Sequence, residues 1–125
     1  MRLNQVTVPA RDLAQSIAFY ETLGLILIVK SDEYARFELP EGGSTFSLHV
    51  EADAARAHAP VIYFECDDLD GDVARLKARG IVFDLDPTNQ RWLWREAHLR
   101  DPAGNALILY RAGANRTHPP WRLTR

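Results

Sequence analysis

The sequence predicts an α+β fold made of two βαβββ modules in tandem, and three observations lead to this prediction. First, an alternating strand pattern that ends in Asp-Leu occurs twice, at Asp12 and at Asp68. Second, an amphipathic helix pattern that stops at a glycine follows each of these strands. Third, three short strand patterns come after each helix, and a turn that contains glycine joins the last two. Self-similarity at a fixed offset is typical of a repeated structural unit.

The first module begins with an alternating strand pattern that starts at Gln5 and ends in Asp12-Leu13. A helix follows, because its apolar residues recur three and four positions apart; these residues are Leu13, Ile17, Tyr20 and Leu23. Asp12 has the short acidic side chain that caps free backbone N–H groups, and Gly24 suits the positive φ of a helix end. Three further strands are then predicted, at residues 25–30, 34–39 and 45–50.

The second module repeats this order 56 residues later. Its helix is predicted between Asp68 and Gly80, and its apolar face is formed by Leu69, Val73 and Leu76. Its first strand pattern starts at Val61 and ends in Asp68-Leu69, and three further strands are predicted at residues 82–85, 95–100 and 106–110. The closing turns, aligned on Gly43 and Gly104, are offset by 61 residues, so this half carries about five more residues. We place them in a loop at residues 87–94, which has no strand periodicity.

Length and composition favour one domain of residues 1–125, with module one at about 3–51, a linker at 52–59, module two at about 60–112 and a tail at 113–125. The formal net charge of −2 gives no reason to expect a nucleic acid or an anionic membrane as a partner. No apolar run approaches the roughly 20 residues that span a bilayer. Cys66 is the only cysteine, which excludes an internal disulfide and favours a cytoplasmic location.

The tail contains two adjacent prolines, which cannot continue a regular helix or a central strand. Trp121 follows them, and we expect its ring to pack on the body of the fold or on a partner subunit. His58 in the linker and His118 in the tail are expected to be solvated.

Three groups of residues carry a family resemblance. They are Arg11-Asp12-Leu13 with Ser16 to Tyr20 and Leu23-Gly24, then Phe64 to Leu69, and finally Arg95-Glu96 with Leu99 to Asn105. These groups resemble, in order, two module openings and the closing hairpin of the vicinal-oxygen-chelate superfamily of glyoxalases, bleomycin-resistance proteins and dioxygenases. The hairpin is most similar to that of bleomycin-resistance proteins, and the match covers roughly residues 3–112. The resemblance implies a curved mixed sheet around a cavity, and often a homodimer with shared cavities.

Metal-dependent members of this superfamily place His, Glu or Gln ligands on the first and last strand of each module. The matching positions here are Gln5 and Ser47 in the first module, and Val61 and Ile108 in the second. Val61 and Ile108 have no donor atom, and the one amide oxygen of Gln5 is too little to hold a divalent ion. We therefore predict that the protein has no metal and no other cofactor.

One alternative to this prediction is a shifted metal site. His49 lies two residues beyond Ser47 and therefore on the same face of the strand. A site formed by Gln5, His49 and either Glu96 or His98 is conceivable. We favour a role for His49 in the cavity wall.

The strand faces can be sorted by alternation. Val6, Val8, Phe46 and Leu48, with their repeat mates, are expected to pack against the helices. The opposite face and the extra loop form the predicted ligand-binding cavity, whose residues are Gln5, Thr7, Ser47, His49, Val61, Tyr63, Glu65, Trp92, Trp94, Ile108 and Tyr110. Such a mixture of apolar, aromatic and hydrogen-bonding groups is typical of a small-molecule pocket. The two tryptophans either stack on a flat ligand or anchor the loop.

Glu96 and His98 are expected on the cavity side of their strand, about 7 Å apart at Cα. The assignment assumes that Ala97 and Leu99 face the helix, whereas the apolar residues of the matching strand in the first half have the other parity. A carboxylate and an imidazole this close form either an acid–base pair or a salt bridge. With His49, they are the candidate catalytic residues.

The predicted function is metal-independent binding of a small molecule, in which the protein sequesters a hydrophobic or cationic compound. Glu65, Glu96 and the aromatic residues would recognise it. The alternative is a metal-independent lyase or isomerase that uses His98, Glu96, His49 or Tyr63 as acid and base. A second alternative is a metal-dependent glyoxalase- or dioxygenase-like enzyme with an atypical site, and whether the chain is an enzyme stays open at this point.

Overall fold

The computed structural model describes residues 3–52 and 60–123, and it confirms the α+β fold with two βαβββ modules. The elements are β1 (Gln5–Ala10), α1 (Leu13–Leu23), β2 (Ile26–Lys30), β3 (Tyr34–Glu38), β4 (Thr45–Val50), β5 (Ile62–Glu65), α2 (Leu69–Ala78), β6 (Phe83–Asn89), β7 (Arg95–Arg100), β8 (Ala106–Arg111) and a 3₁₀ helix (Gly113–Arg116). In the part of the chain that is described, no helix has the length and apolar character needed to cross a membrane.

The chain divides into two compact units. The first unit comprises Met1–Pro60 with Arg100–Asn105, and the second comprises Val61–Leu99 with Ala106–Arg125. The predicted linker at residues 52–59, including His58, lies outside the described residues except for Ala52.

Both helices begin and end with the predicted caps. The Asp12 carboxylate accepts a hydrogen bond from the backbone N–H of Gln15 at 3.0 Å, and that of Asp68 accepts one from Gly71 at 3.2 Å. Gly24 and Gly80 have φ values of 104° and 91°, which an L side chain rarely adopts. The repeated Asp and Gly therefore have a structural role: the Asp caps the beginning of each helix and the Gly ends it.

The first sheet has the strand order β1-β4-β3-β2, with β1 parallel to β4 and β3 antiparallel to both of its neighbours. Helix α1 covers one of its faces. Tyr20 is fully buried there, with its ring 4.6 Å from that of Phe46 and 5.9 Å from that of Phe37. Burial of these rings contributes to the stability of this unit.

The turn Arg100–Asn105 belongs to the first unit, where Asp101 organises it. The buried Asp101 carboxylate accepts hydrogen bonds from the Tyr20 hydroxyl at 2.7 Å, from the backbone N–H groups of Ala103 and Asn105, and from the Asn105 amide at 2.7 Å. The Asn105 amide also donates to the carbonyl of Pro9 at 2.8 Å. A buried carboxylate with four donors is well satisfied, so the turn is held firmly.

The second sheet has the order β5-β8-β7-β6, with β5 parallel to β8 and β6 antiparallel to β7. Its core on the α2 side consists of residues that the alternation of the strands and the period of the helix predicted: Ile62, Leu69, Val73, Leu76, Ala97, Leu99, Leu107 and Leu109. Ala97 and Leu99 are buried, as their predicted position on the helix side of β7 requires. The helix-facing residues of β7 and of β3 occupy different alternate positions in the two repeats. The reason is that five residues separate β7 from β8, whereas six separate β3 from β4.

The structure corrects two predictions in part. Residues 87–94 are not all loop, because β6 continues to Asn89 and pairs Thr88 with Glu96. Pro87 fits within it because β6 is an edge strand with shifts in register, where a missing N–H is tolerated. Trp121 does not pack on the body of the fold, since it is 57% exposed. Its packing on a partner subunit stays a prediction.

Candidate functional site

The first unit has a polar sheet face on the side opposite α1. Gln5, Thr7, Ser47 and His49 lie on it, as alternation predicted. The strand register adds Tyr34, paired with His49, and Arg36, paired with Ser47, because directly paired residues point to the same side of a sheet. Tyr34 and Arg36 were missed, although they alternate with the apolar Ala35 and Phe37, which is the signal that could have placed them on this face.

Hydrogen bonds order this polar face. The hydroxyls of Tyr34 and Ser47 are 2.7 Å apart, and the Nε–H of Arg36 donates to the Tyr34 oxygen at 2.9 Å. The hydrogen bond with Ser47, together with that from Arg36 and its charge, lowers the pKa of Tyr34 against a smaller opposing effect of burial. Gln5 is engaged separately, because its amide oxygen accepts from the Thr45 hydroxyl at 2.7 Å.

The second unit has an aromatic face instead. Trp94 stacks on Tyr110, with ring centres 4.6 Å apart and planes 16° from parallel. Tyr63 meets both rings edge-on, at 5.9 Å from Trp94 and 5.7 Å from Tyr110. We call these three residues the aromatic wall. Tyr63 is 48% exposed, so the wall has an accessible surface on which a flat molecule can stack.

Two carboxylates flank the aromatic wall. Burial, and then the charge of Glu65, raises the pKa of Tyr110, while burial and then the charge of Glu96 raise that of Tyr63. Glu65 is half exposed, and Nε of Arg116 in the 3₁₀ helix lies 4.0 Å from its carboxylate. The wall therefore lies in a region of negative potential, which favours a cation over the ring faces.

Glu96 is the most enclosed acid of the second unit, at 2% exposure. One of its oxygens accepts from the indole N–H of Trp92 at 2.7 Å, and the other lies 2.8 Å from Nε2 of His98. The predicted proximity of Glu96 and His98 is therefore real, and Trp92 anchors the loop through this carboxylate. The contact leaves the other ring nitrogen of His98, which is partly exposed, available to a ligand.

A groove of about 460 Å³ also lies in the second unit, between the β6–β7 connection and the 3₁₀ helix. Leu93, Trp94 and Ala112 form apolar parts of its wall, and Arg111 and Asn115 form polar parts. The Trp94 indole donates to the Asn115 carbonyl at 3.3 Å and so joins the two segments. A ligand on the groove side of the aromatic wall would contact this indole.

The cysteine is not a nucleophile in this structure. Cys66 lies at the end of β5, and burial, with the nearby Asp72 carboxylate as a second cause, raises the pKa of its thiol to about 12. The thiolate is the reactive form of cysteine, so this side chain is inert at neutral pH.

The residues at the superfamily's ligand positions do not fit a divalent metal. Val61 and Ile108 offer no donor, the amide oxygen of Gln5 is bonded to Thr45, and the Ser47 hydroxyl is bonded to Tyr34. Within residues 3–52 and 60–123, no three His, Cys, Asp or Glu side chains are grouped so that they could hold an ion. A divalent site needs three or four converging oxygen or nitrogen donors.

These features agree with what is known of similar proteins. The family model of the Glyoxalase/Bleomycin resistance protein/Dioxygenase superfamily matches residues 2–109, and the chain belongs to this superfamily. Among curated proteins, none matches the sequence.

Solved structures share the fold. The chain is similar to a glyoxalase/bleomycin resistance protein/dioxygenase from Nocardioides (TM-score 0.76, 24% identity, covering 99% of this chain and 90% of that one). It is also similar to a bleomycin-binding protein in complex with bleomycin (TM-score 0.73, 21% identity, covering 89% of this chain and 98% of that one). A third similar structure is that of a lactoylglutathione lyase from Agrobacterium tumefaciens (TM-score 0.72, 23% identity, covering 88% of this chain and 92% of that one). Such low identities establish the fold and leave the activity to the site.

Proposed function

We propose that this protein binds and sequesters a small, flat, cationic or hydrophobic molecule without the help of a metal ion. The observation that carries the proposal is the aromatic wall of Tyr63, Trp94 and Tyr110 with carboxylates at its edges. The other predicted cavity residues, including Thr7, Val61 and Ile108, would form less specific parts of the binding surface.

The chemistry of the wall suits a cation with an apolar body. Aromatic rings attract a cation through the negative potential of their faces, and a nearby carboxylate adds to this attraction. The half-exposed Glu65 is the carboxylate most open to a ligand. The bleomycin-binding protein with the same fold makes bleomycin a reasonable first compound to test.

A calorimetric titration with bleomycin, followed by a panel of cationic aromatic compounds, tests this function. We expect saturable binding, weakened about three- to tenfold in Glu65→Gln, since a half-exposed charge contributes roughly 1 kcal/mol. Glu21→Gln, a change of the same kind on the exposed surface of α1, is the matched control and should bind as the wild type does. Absence of binding across the panel would refute the proposal.

A second candidate function is metal-independent acid–base catalysis, and the contact of Glu96 with His98 favours it. A buried carboxylate that holds one nitrogen of an imidazole fixes the orientation of the ring, and the free nitrogen can then move a proton. A lyase or isomerase would use His98 as the group that touches the substrate. His49 and Tyr63 are the other candidates for the opposite proton transfer.

Turnover of lactoylglutathione is the first assay for this second function, because a lactoylglutathione lyase has the same fold. If His98 is catalytic, His98→Gln should lose about 10²-fold or more in kcat, as expected for the loss of a general acid or base. Equal turnover in His98→Gln and the wild type would exclude His98. No turnover in either protein would favour the binding function.

The proposed assembly is a homodimer, and the proposed location is the cytoplasm. Ile26 and Ile28 are exposed on β2, an edge strand, and an exposed apolar edge is usually covered by a partner. Sedimentation velocity should show a dimer, and Ile28→Lys should shift it toward monomer. A monomeric wild type would contradict this assembly.

A further inference from the structure

The polar face of the first unit contains a tyrosine and an arginine, Tyr34 and Arg36, that the proposed function does not use. Arg36 and Ser47 are direct partners across β3 and β4, and Tyr34 and His49 are the next pair on the same face. The Tyr34 oxygen lies within hydrogen-bond distance of both Ser47 and Arg36. These contacts determine where the hydroxyl proton of Tyr34 can point.

The direction of each hydrogen bond follows from burial and donor chemistry. Ser47 is fully buried and its hydroxyl contacts the Tyr34 oxygen, so satisfying the Ser47 proton requires that Ser47 donate. A guanidinium has no acceptor, so Arg36 also donates. The Tyr34 oxygen thus accepts two hydrogen bonds, and its own proton is directed to a third partner.

The guanidinium of Arg36 also has N–H groups that donate to no side chain within residues 3–52 and 60–123. Its Nε–H is bonded to Tyr34, while its two terminal nitrogens carry the remaining N–H groups. Glu38 is on the same strand face, about 7 Å away at Cα. Across residues 3–52 and 60–123, Arg36 forms no ion pair with Glu38 or with any other carboxylate. A partly buried cation without a counter-charge is an anion-binding group.

We infer that Arg36 and Tyr34 form an oxyanion site, in which the terminal guanidinium nitrogens and the Tyr34 hydroxyl donate to the carboxylate or phosphate group of a small molecule. The two terminal N–H groups of a guanidinium match two oxygens of such a group. Ser47 is a positioning residue, because it touches only the Tyr34 oxygen. His49 is paired with Tyr34 across the strands and lies on the same face.

This inference goes beyond the proposed function, since an aromatic wall with carboxylates recognises a cation and this face recognises an anion. Each is on a different unit and each can be tested with its own probe. Absence of anion binding would therefore leave the proposal about the cationic ligand unchanged.

Titration with sodium phosphate and, separately, with sodium benzoate tests the oxyanion site at constant ionic strength set with chloride. The readout is the Nε–Hε NMR signal of Arg36 in protein labelled with ¹⁵N. We expect a saturable shift with at least one of the two anions, and affinity reduced at least tenfold in Arg36→Lys, which keeps the charge but loses the paired N–H groups. Because that change removes the signal, the Lys variant is followed through the backbone amides of β3.

Two further variants complete the test. Tyr34→Phe should weaken the anion about three- to tenfold, and a melting curve shows whether it is folded. Arg79→Gln, at the exposed end of α2, is the matched control and should bind as the wild type does. The inference is overturned if neither anion saturates the Arg36 signal, or if Arg36→Lys binds as tightly as the wild type.

Discussion

Tyr34 differs from the other three tyrosines in its surroundings. Its hydroxyl has two donors, Ser47 and Arg36, whereas burial is the first cause that raises the pKa values of Tyr20, Tyr63 and Tyr110. A phenolate is stabilised by donors and by positive charge and is destabilised by loss of water. This difference in surroundings should make Tyr34 ionise at a different pH from the other tyrosines.

We predict that Tyr34 is the first tyrosine to ionise as the pH rises. The pKa of Tyr34 is lowered from the ordinary value near 10, whereas the pKa values of the other three tyrosines are raised. Tyrosinate absorbance followed against pH should show an early step that disappears in Tyr34→Phe and moves to higher pH in Arg36→Gln. An early step that persists in Tyr34→Phe would be inconsistent with this assignment.

Tyr20 is predicted to stabilise the first unit through Asp101. Its hydroxyl is one of the donors to this buried carboxylate, so Tyr20→Phe should reduce the free energy of unfolding by about 1–3 kcal/mol at neutral pH. Denaturant unfolding measures the change. Tyr63→Phe removes the same hydroxyl at a half-exposed position and should change stability by less than about 0.5 kcal/mol. Equal effects of the two changes would show that the contact with Asp101 is unimportant.

Tyr20 also makes the stability of the folded protein depend on pH in the alkaline range. Burial raises the pKa of Tyr20 above its unfolded value of 10.0, with Asp101 as a further cause, so the folded state keeps a proton that the unfolded state loses. Stability should therefore fall as the pH rises above about 10. The fall should be less steep in Tyr20→Phe, whereas an identical slope would contradict the assigned shift.

At the level of the elements, both helices and most strands could be predicted because their signals are local. The caps at Asp12 and Asp68 and the apolar periods of α1 and α2 need no tertiary information. The extension of β6 to Asn89 could not be predicted in this way, because pairing with β7 overrides the local preference of Pro87 and Asn89. The exposure of Trp121 likewise depends on where the tail runs.

The 3₁₀ helix of the tail gives a further prediction, through Arg116. Its guanidinium lies near Glu65 and occupies the place where we expect a cationic ligand. Arg116→Gln should therefore strengthen binding of a cationic aromatic compound about two- to fivefold, the effect of removing one half-exposed ion pair. Calorimetry measures this change, with Arg79→Gln as control. Unchanged or weaker binding would show that Arg116 does not compete with the ligand.

For the whole molecule, the repeat was enough to predict the two modules, and alternation sorted the two faces of each sheet. Alternation along the strands placed Glu96 on the same face as His98 and grouped Tyr63 with Tyr110. It did not predict that Trp94 stacks on Tyr110 or that Trp92 donates to Glu96, because both contacts depend on the path of the β6–β7 connection. Arg36 and Tyr34 were also missed, although their alternation with Ala35 and Phe37 places them on the polar face, in agreement with the strand register.

The two units carry complementary chemistry on their open faces. The first presents Arg36 and hydroxyl groups, and the second presents aromatic rings with Glu65 and Glu96. Val61 and Ile108 have no donor atom for a metal ion, so the proposed recognition rests on charge, hydrogen bonds and stacking. Metal independence is the central claim of this account.

The metal content of tag-free protein, purified without chelator and measured by elemental mass spectrometry, tests that claim most directly. Melting curves with added nickel, manganese, iron or zinc complete the measurement, because an ion that binds the folded state raises the melting temperature. We predict a metal content far below one ion per chain and no rise in melting temperature. Near-stoichiometric metal together with a higher melting temperature would contradict the account and direct attention to a site formed by Gln5 and His49 with Glu96 or His98.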